Sequence, residues 1–225
     1  MAQTDRSKDT SEYYDEAFNK IHYSGAIGIY SGILHRGLEK NTKPFYSRVL
    51  ELGAGSGEHL QFVQHNFDEY ICLDLELPDK LPIRLGVKFV QGDAEKLTYQ
   101  EGEFDRVLNV CLLHHVSSAE KVLREMRRVT KTGGQINIFL PCDPGMVYRW
   151  IRHWTTHKKT SKVMKKPMHF VKYMWAIEHK GHFLAVKSLI TEIFKEDRVR
   201  VKRYPFQFFS WNANLFVHYS IIKNS

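Results

Sequence analysis

Short apolar runs rich in β-branched residues alternate with helically spaced apolar positions from about residue 45 to residue 140. Residues 48–52, 70–74, 87–91, 104–110 and 135–140 read as strands. Residues 58–66 and 118–129 read as helices, the second with Val122, Leu123, Met126 and Val129 on one face. The run Lys131-Thr132-Gly133-Gly134 reads as the turn into the fifth strand. The run at 48–52 lacks polar alternation, as a strand covered on both faces would. Further on, a helix at 184–195 precedes two strands, at 199–204 and 214–222.

Strand–helix alternation calls for right-handed crossovers and a parallel sheet covered on both sides. The expected fold is therefore α/β: a Rossmann-like seven-stranded, mostly parallel sheet with helices on both faces. Two late strands after one helix let the last strand insert antiparallel beside the fifth. Residues 143–183 are too many for a simple connection and are expected to form a helical cap inserted after the fifth strand. The chain divides into an N-terminal helical cover (1–44), a core (45–142), the cap (143–183) and a C-terminal part of the sheet (184–225). The helical pattern of 11–40 is interrupted by Gly25, Gly28, Gly32 and Gly37.

Composition adds exclusions. With 43% hydrophobic and 26% charged residues in 225, the chain is globular rather than disordered. No apolar run approaches the roughly 20 residues that span a bilayer, and the polar start has no secretory h-region. Cys72, Cys111 and Cys142 are too few and too far apart for a disulfide framework, so a reducing cytoplasm is expected. Charge is uneven. Residues 1–142 carry 17 Lys/Arg against 20 Asp/Glu (−3), and residues 143–225 carry 16 against 5 (+11). The densest stretch interleaves Arg149, Arg152, Lys165, Lys166 and Lys172 with Tyr148, Trp150, Trp154 and Trp175. Such a patch suits an anionic partner, whether a phosphate-bearing small molecule, nucleic acid or a membrane surface. A solvated basic face with its aromatics packed inward is the plainer reading.

The chemistry sits in Glu51-Leu52-Gly53-Ala54-Gly55-Ser56-Gly57. Glycines at a strand's carboxyl end let a ligand approach the backbone, and the N–H groups that follow are free to meet it. The third glycine comes one position earlier than in G-x-G-x-x-G dinucleotide loops, which argues against an NAD-type site. Glu51 would not favour a pyrophosphate, but it suits a ligand bearing an ammonium or sulfonium charge. The segment resembles motif I of class I S-adenosylmethionine-dependent methyltransferases, in particular the methyltransferase type 11 group. Asp74, seventeen residues after Gly57, stands beside Leu75 where that family's acid holds the ribose hydroxyls. Gly92-Asp93-Ala94 stands where its acid meets the adenine, and the run from Asn109 and Val110 to His114 and His115 where a segment closes under the cofactor. The resemblance covers residues 45–142 well and 184–225 in topology only. It implies S-adenosylmethionine as cofactor, with Glu51 reaching the methionine ammonium and Tyr13 and Tyr14 covering the site. Read from the residues alone, Asp74 could cap a turn with Glu76 taking the ribose, Asp93 could be an ordinary turn residue, and Tyr14 could pack a helix.

Methyl transfer from a sulfonium is an in-line displacement that needs alignment and dryness, plus a base only for acceptors of high pKa. Base candidates are His114 and His115 at the mouth of the site and His179 and His182 in the cap; His22 lies in the N-terminal segment. His179-x-x-His182 lacks a third ligand, so no metal is expected. Pro141-Cys142 follows the fifth strand, whereas the Pro-Cys pair of cytosine-C5 methyltransferases follows the fourth. The Asn/Asp-Pro-Pro-aromatic signature of amino-directed DNA methyltransferases is absent. The expected acceptor is a small molecule or glycan, anionic and methylated on O or N, such as a sugar nucleotide or lipid-linked saccharide. An RNA acceptor, peripheral membrane contact and a non-catalytic cofactor-binding role are the alternatives.

Overall fold

The computed structural model describes residue 21 and residues 25–77 and 81–224. The expectations for Tyr13, Tyr14 and His22 lie outside the described residues. Seven strands form one sheet: β1 (Phe45–Leu52), β2 (Asn66–Asp74), β3 (Val87–Gln91), β4 (Phe104–Val110), β5 (Thr130–Pro141), β6 (Arg198–Tyr204) and β7 (Phe216–Ile222). The order is β3-β2-β1-β4-β5-β7-β6. The first five strands are parallel, and β7 runs antiparallel between β5 and β6. Chain direction across the sheet reverses between β1 and β4, and ligands of open α/β sheets bind beyond the strand ends at such a switch point.

The sheet is covered on both faces. On one, α2 (Ala119–Val129) and α6 (Phe183–Ile193) bury Val122, Leu123, Met126, Val186 and Ile190 against Leu50, Leu52, Val107 and Ile138. Each large apolar side chain so buried contributes about 1.5–3 kcal/mol. The Ser118 side chain caps α2 by accepting from the Lys121 N–H. On the other face, α1 (Gly25–Glu39) packs Leu34 and Leu38 on Phe139. That face also carries a buried polar network. Arg106 donates to Glu39 at 2.8 Å and to Asn137 at 3.0 Å, and Glu39 also meets His59 at 3.0 Å. Paired with His59 and Arg106, the Glu39 carboxyl stays well below the usual carboxylate range despite its burial.

Four expectations are corrected. The first 15 residues of the described chain after residue 24 form one helix straight through Gly28, Gly32 and Gly37, because tertiary packing on the sheet outweighs the roughly 1 kcal/mol cost of each glycine. The helix expected at 58–66 is only a 3₁₀ turn, Glu58–Phe62, since β2 already begins at Asn66. The turn expected at 131–134 lies inside β5, with Gly133 at φ +75°. Finally, Trp150 and Trp154 are not packed inward, as the plainer reading of the basic-aromatic stretch had them: each is more than half exposed.

Residues 143–182 contain four helical segments: α3 (Met146–Arg152), a π-helical turn (His153–His157), α4 (Lys158–Met164) and α5 (Met168–Glu178). Val171 and Met174 of α5 are buried, and Met174 packs with Ile21 and Met164. No helix among the described residues is long and apolar enough to cross a membrane.

Candidate active site

The glycine loop follows the buried end of β1. Its backbone is tied to β2 by Gly53 N–H and Ala54 N–H, both donating to the Leu73 carbonyl at 2.8 and 3.2 Å. Gly53 and Gly57 have φ of +69° and +83°. A Cβ at Gly53 would come within 2.8 Å of Leu112, and one at Gly57 within 2.8 Å of Leu60. The loop is therefore a tight cradle that only glycine can form.

Asp74 ends β2 half-buried, and its Oδ2 accepts from the Gly55 N–H at 2.8 Å. One carboxylate oxygen thus positions the loop. Leu75 beside it is half exposed. Glu51 is buried beneath the loop, accepting from the Tyr70 hydroxyl at 2.7 Å, and burial pushes its pKa up. Asp93 is exposed, and its Oδ1 accepts from the Glu95 N–H at 2.8 Å, closing a turn in front of buried Ala94. Asn109 is wholly buried: its amide donates to Met126 Sδ, and its Oδ1 has no partner. Val110 is half-buried at the end of β4.

After β4 the chain turns through Cys111 at φ +57° and brings His114 and His115 to the carboxyl edge of the sheet. The cap returns to the same place, because Lys180 and Gly181 N–H groups both donate to the His114 carbonyl, at 2.8 and 3.1 Å. This clip gathers His114, His115 and His179: their ring centroids lie 4.0, 4.6 and 5.1 Å apart. His179 Nδ1 donates to Asp143 Oδ2 at 2.8 Å, and Arg152 donates to the same oxygen at 2.7 Å. Arg152 in turn lies over the rings of Tyr148 and Trp175. Burial, with Arg152 close by, lowers the His179 pKa below the ordinary histidine value, while Asp143 opposes the shift. Burial holds His114 neutral as well.

Beside this group lies a cavity of about 760 Å³, walled by Met146, Trp150, Arg149, Lys172, His179 and His182 among others. Cys142 is buried, with its thiol pushed up to about 12, and is no nucleophile. The sequence reading missed Asp143, and it placed Arg152 in the basic patch without its bond to that carboxylate. Its available signal was that Asp143 and Glu178 are the lone acids of residues 143–181.

The methyltransferase-domain family matches residues 50–138. A ubiquinone/menaquinone biosynthesis C-methyltransferase of Azotobacter vinelandii is 31% identical over 154 residues, 60% of each chain. The demethylmenaquinone methyltransferase of Roseiflexus castenholzii is 24% identical over 174 residues, 70% of this chain and 72% of its own. The chain thus spans about three-fifths to three-quarters of these relatives' lengths. Among solved structures, phosphoethanolamine N-methyltransferase 2 of Haemonchus contortus, in complex with S-adenosyl-L-methionine, superposes with a TM-score of 0.60 at 13% identity. That likeness covers all of this chain and 59% of the other. A cradle that a Cβ would fill, with an acid at the next strand's end, fits S-adenosylmethionine, which is this family's cofactor. Residues 50–138 thus match a methyltransferase domain, and the strand order is that of the class I S-adenosylmethionine-dependent methyltransferase fold.

Proposed function

We propose that this chain transfers the methyl group of S-adenosylmethionine to a hydroxyl oxygen of an anionic small-molecule or glycan acceptor seated in the cap cavity. One observation carries the reading. The Asp143–His179 pair stands on the cavity wall at the sheet's carboxyl edge, with His179 Nε2 buried and unpartnered. A hydroxyl needs a base because its pKa is far above neutrality, and a neutral imidazole whose other nitrogen is held by a carboxylate supplies one. Arg149 and Lys172 on the wall supply positive charge for a phosphate or carboxylate.

When bound, the cofactor supplies the electrophilic methyl and a neutral thioether leaving group. The remaining roles fall to this chain's residues. Gly53, Gly55 and Gly57 admit the methionine end, with Glu51 buried beneath them. Asp74 takes the ribose hydroxyls, and Asp93 with Ala94 takes the adenine edge. Asn109, Val110 and His114 form the shelf below. His179 takes the acceptor proton as the oxygen attacks, and Asp143 stabilises the imidazolium so formed.

The test incubates metal-stripped protein with labelled S-adenosylmethionine and a panel of sugar phosphates, sugar nucleotides, lipid-linked saccharides and matched amines. Labelling of a hydroxyl acceptor, lost in His179→Gln, is the expected result. Labelling confined to amines, or full turnover by His179→Gln, would overturn the oxygen assignment.

A further inference from the structure

We infer that His114, His115 and His179 form a binding site for a divalent transition-metal cation of borderline softness, such as Zn²⁺ or Co²⁺. One ring nitrogen of each lies within 4.8 Å of the other two. His114 and His179 are 6% and 9% exposed, and His114 Nδ1 and His179 Nε2 are buried without hydrogen-bond partners. His179 packs edge-to-face on both other rings, yet this leaves one polar nitrogen on each of His114 and His179 unsatisfied, and such groups are costly when buried. A cation answers both at once.

The surroundings are those of ligating histidines. Such a residue donates its other ring N–H to a carboxylate or carbonyl, which fixes its tautomer. His179 donates Nδ1–H to Asp143 at 2.8 Å, and His115 donates Nδ1–H to the Glu178 carbonyl at 3.1 Å. The two chain segments are already clipped together at the His114 carbonyl, so the site is largely formed before a cation arrives. Three imidazole nitrogens select a nitrogen-loving cation over Mg²⁺ or Ca²⁺, which take oxygen ligands. Zn–N bonds of about 2.0–2.1 Å set tetrahedral ligand nitrogens roughly 3.4 Å apart, so the rings close by about an ångström on loading. The set is one short of four, leaving a place for water or an acceptor oxygen.

This inference goes beyond the methyl-transfer reading. A ligated His179 is no longer a base, so the base role belongs to the metal-free protein. The test is a binding measurement on the full-length, metal-stripped chain. Co²⁺ is expected to give the visible absorption of a tetrahedral, nitrogen-ligated ion, and Zn²⁺ a one-to-one calorimetric isotherm that displaces it. Asp143→Asn should weaken Zn²⁺ binding about 10–100-fold. His114→Gln and His179→Gln should weaken it further while keeping the wild-type circular dichroism, and exposed His169→Ala should leave it unchanged. Absence of stoichiometric binding by the wild type, or binding undiminished in both His114→Gln and His179→Gln, would overturn the site. Binding of the demethylated cofactor, measured separately, reports on the methyltransferase reading alone.

Discussion

One Asp74 carboxylate oxygen accepts from Gly55 N–H, and the proposed function gives the other to the ribose. Asp74→Ala should therefore weaken cofactor binding by about 1–3 kcal/mol through unpaired hydroxyls and a loosened loop, read by calorimetry with the demethylated cofactor. Unchanged affinity would reduce Asp74 to a loop strut. At His179 the lowered pKa gives a pH signature. The base works while neutral, so turnover should hold through neutrality and fall as pH drops through a value below the ordinary histidine range. Asp143→Asn should cost on the order of a hundredfold in kcat, with the acid limb moved to lower pH because the carboxylate that favours imidazolium is gone. These residues differ in how readable they were. Gly53 to Asp74 is local, a strand, a turn and a strand, and its spacing is visible in the sequence. Asp143 and His179 are 36 residues apart, and no spacing rule links them. Only the path of the cap helices does.

Among the elements, the strands were readable because burial on both faces leaves apolar runs, as in β1 and β4. What was not readable was where a charge would be buried in them. Arg106 stands in β4 with no exposure, bound by Glu39 of α1, His65 and Asn137. A lone Arg in a strand reads as an edge residue until its partner helix is placed. Removing one side of such a buried pair costs about 3–5 kcal/mol, whereas replacing both with apolar groups costs less. Arg106→Met is thus expected to lower unfolding stability by that amount in urea titration, and Glu39→Leu/Arg106→Met by less than the sum of the singles. Additive singles would show that the two groups are not coupled. The cap gives the opposite lesson. Trp150 and Trp154 stand four residues apart, at helical spacing, and the plainer reading of the sequence turned them inward; the structure leaves both more than half exposed, with Trp150 and Met146 on the cavity wall. Periodicity identifies a face without saying what covers it. Trp150→Ala should change stability by less than about 0.5 kcal/mol and raise the acceptor's KM, whereas a large loss of stability would mean the ring is packed after all.

Across the whole molecule charge is divided: residues up to 142 carry a net −3 and include the glycine loop, whereas residues 143–225 carry +11 and supply Arg149, Arg152 and Lys172 to the cavity wall. The same molecule should be acid-labile. Burial lowers His35 and His218 to about 3, and Glu39 lies below its ordinary range. Groups with depressed pKa values contribute stability above their unfolded values and lose it as pH falls. Unfolding free energy should thus decline from about pH 6.5 downward as the histidines bind protons in the unfolded chain, and more steeply below about pH 4.5 as Glu39 follows. A flat profile between pH 7 and 4 would contradict the buried network. The most direct measurement of the central claim is isothermal calorimetry of the purified chain with S-adenosylhomocysteine. A one-to-one isotherm is expected, collapsing on Gly55→Val, where a branched side chain is forced into φ +54°. No heat from the wild type, or an isotherm untouched by Gly55→Val, would mean that the glycine-lined end of β1 is not where the cofactor lies.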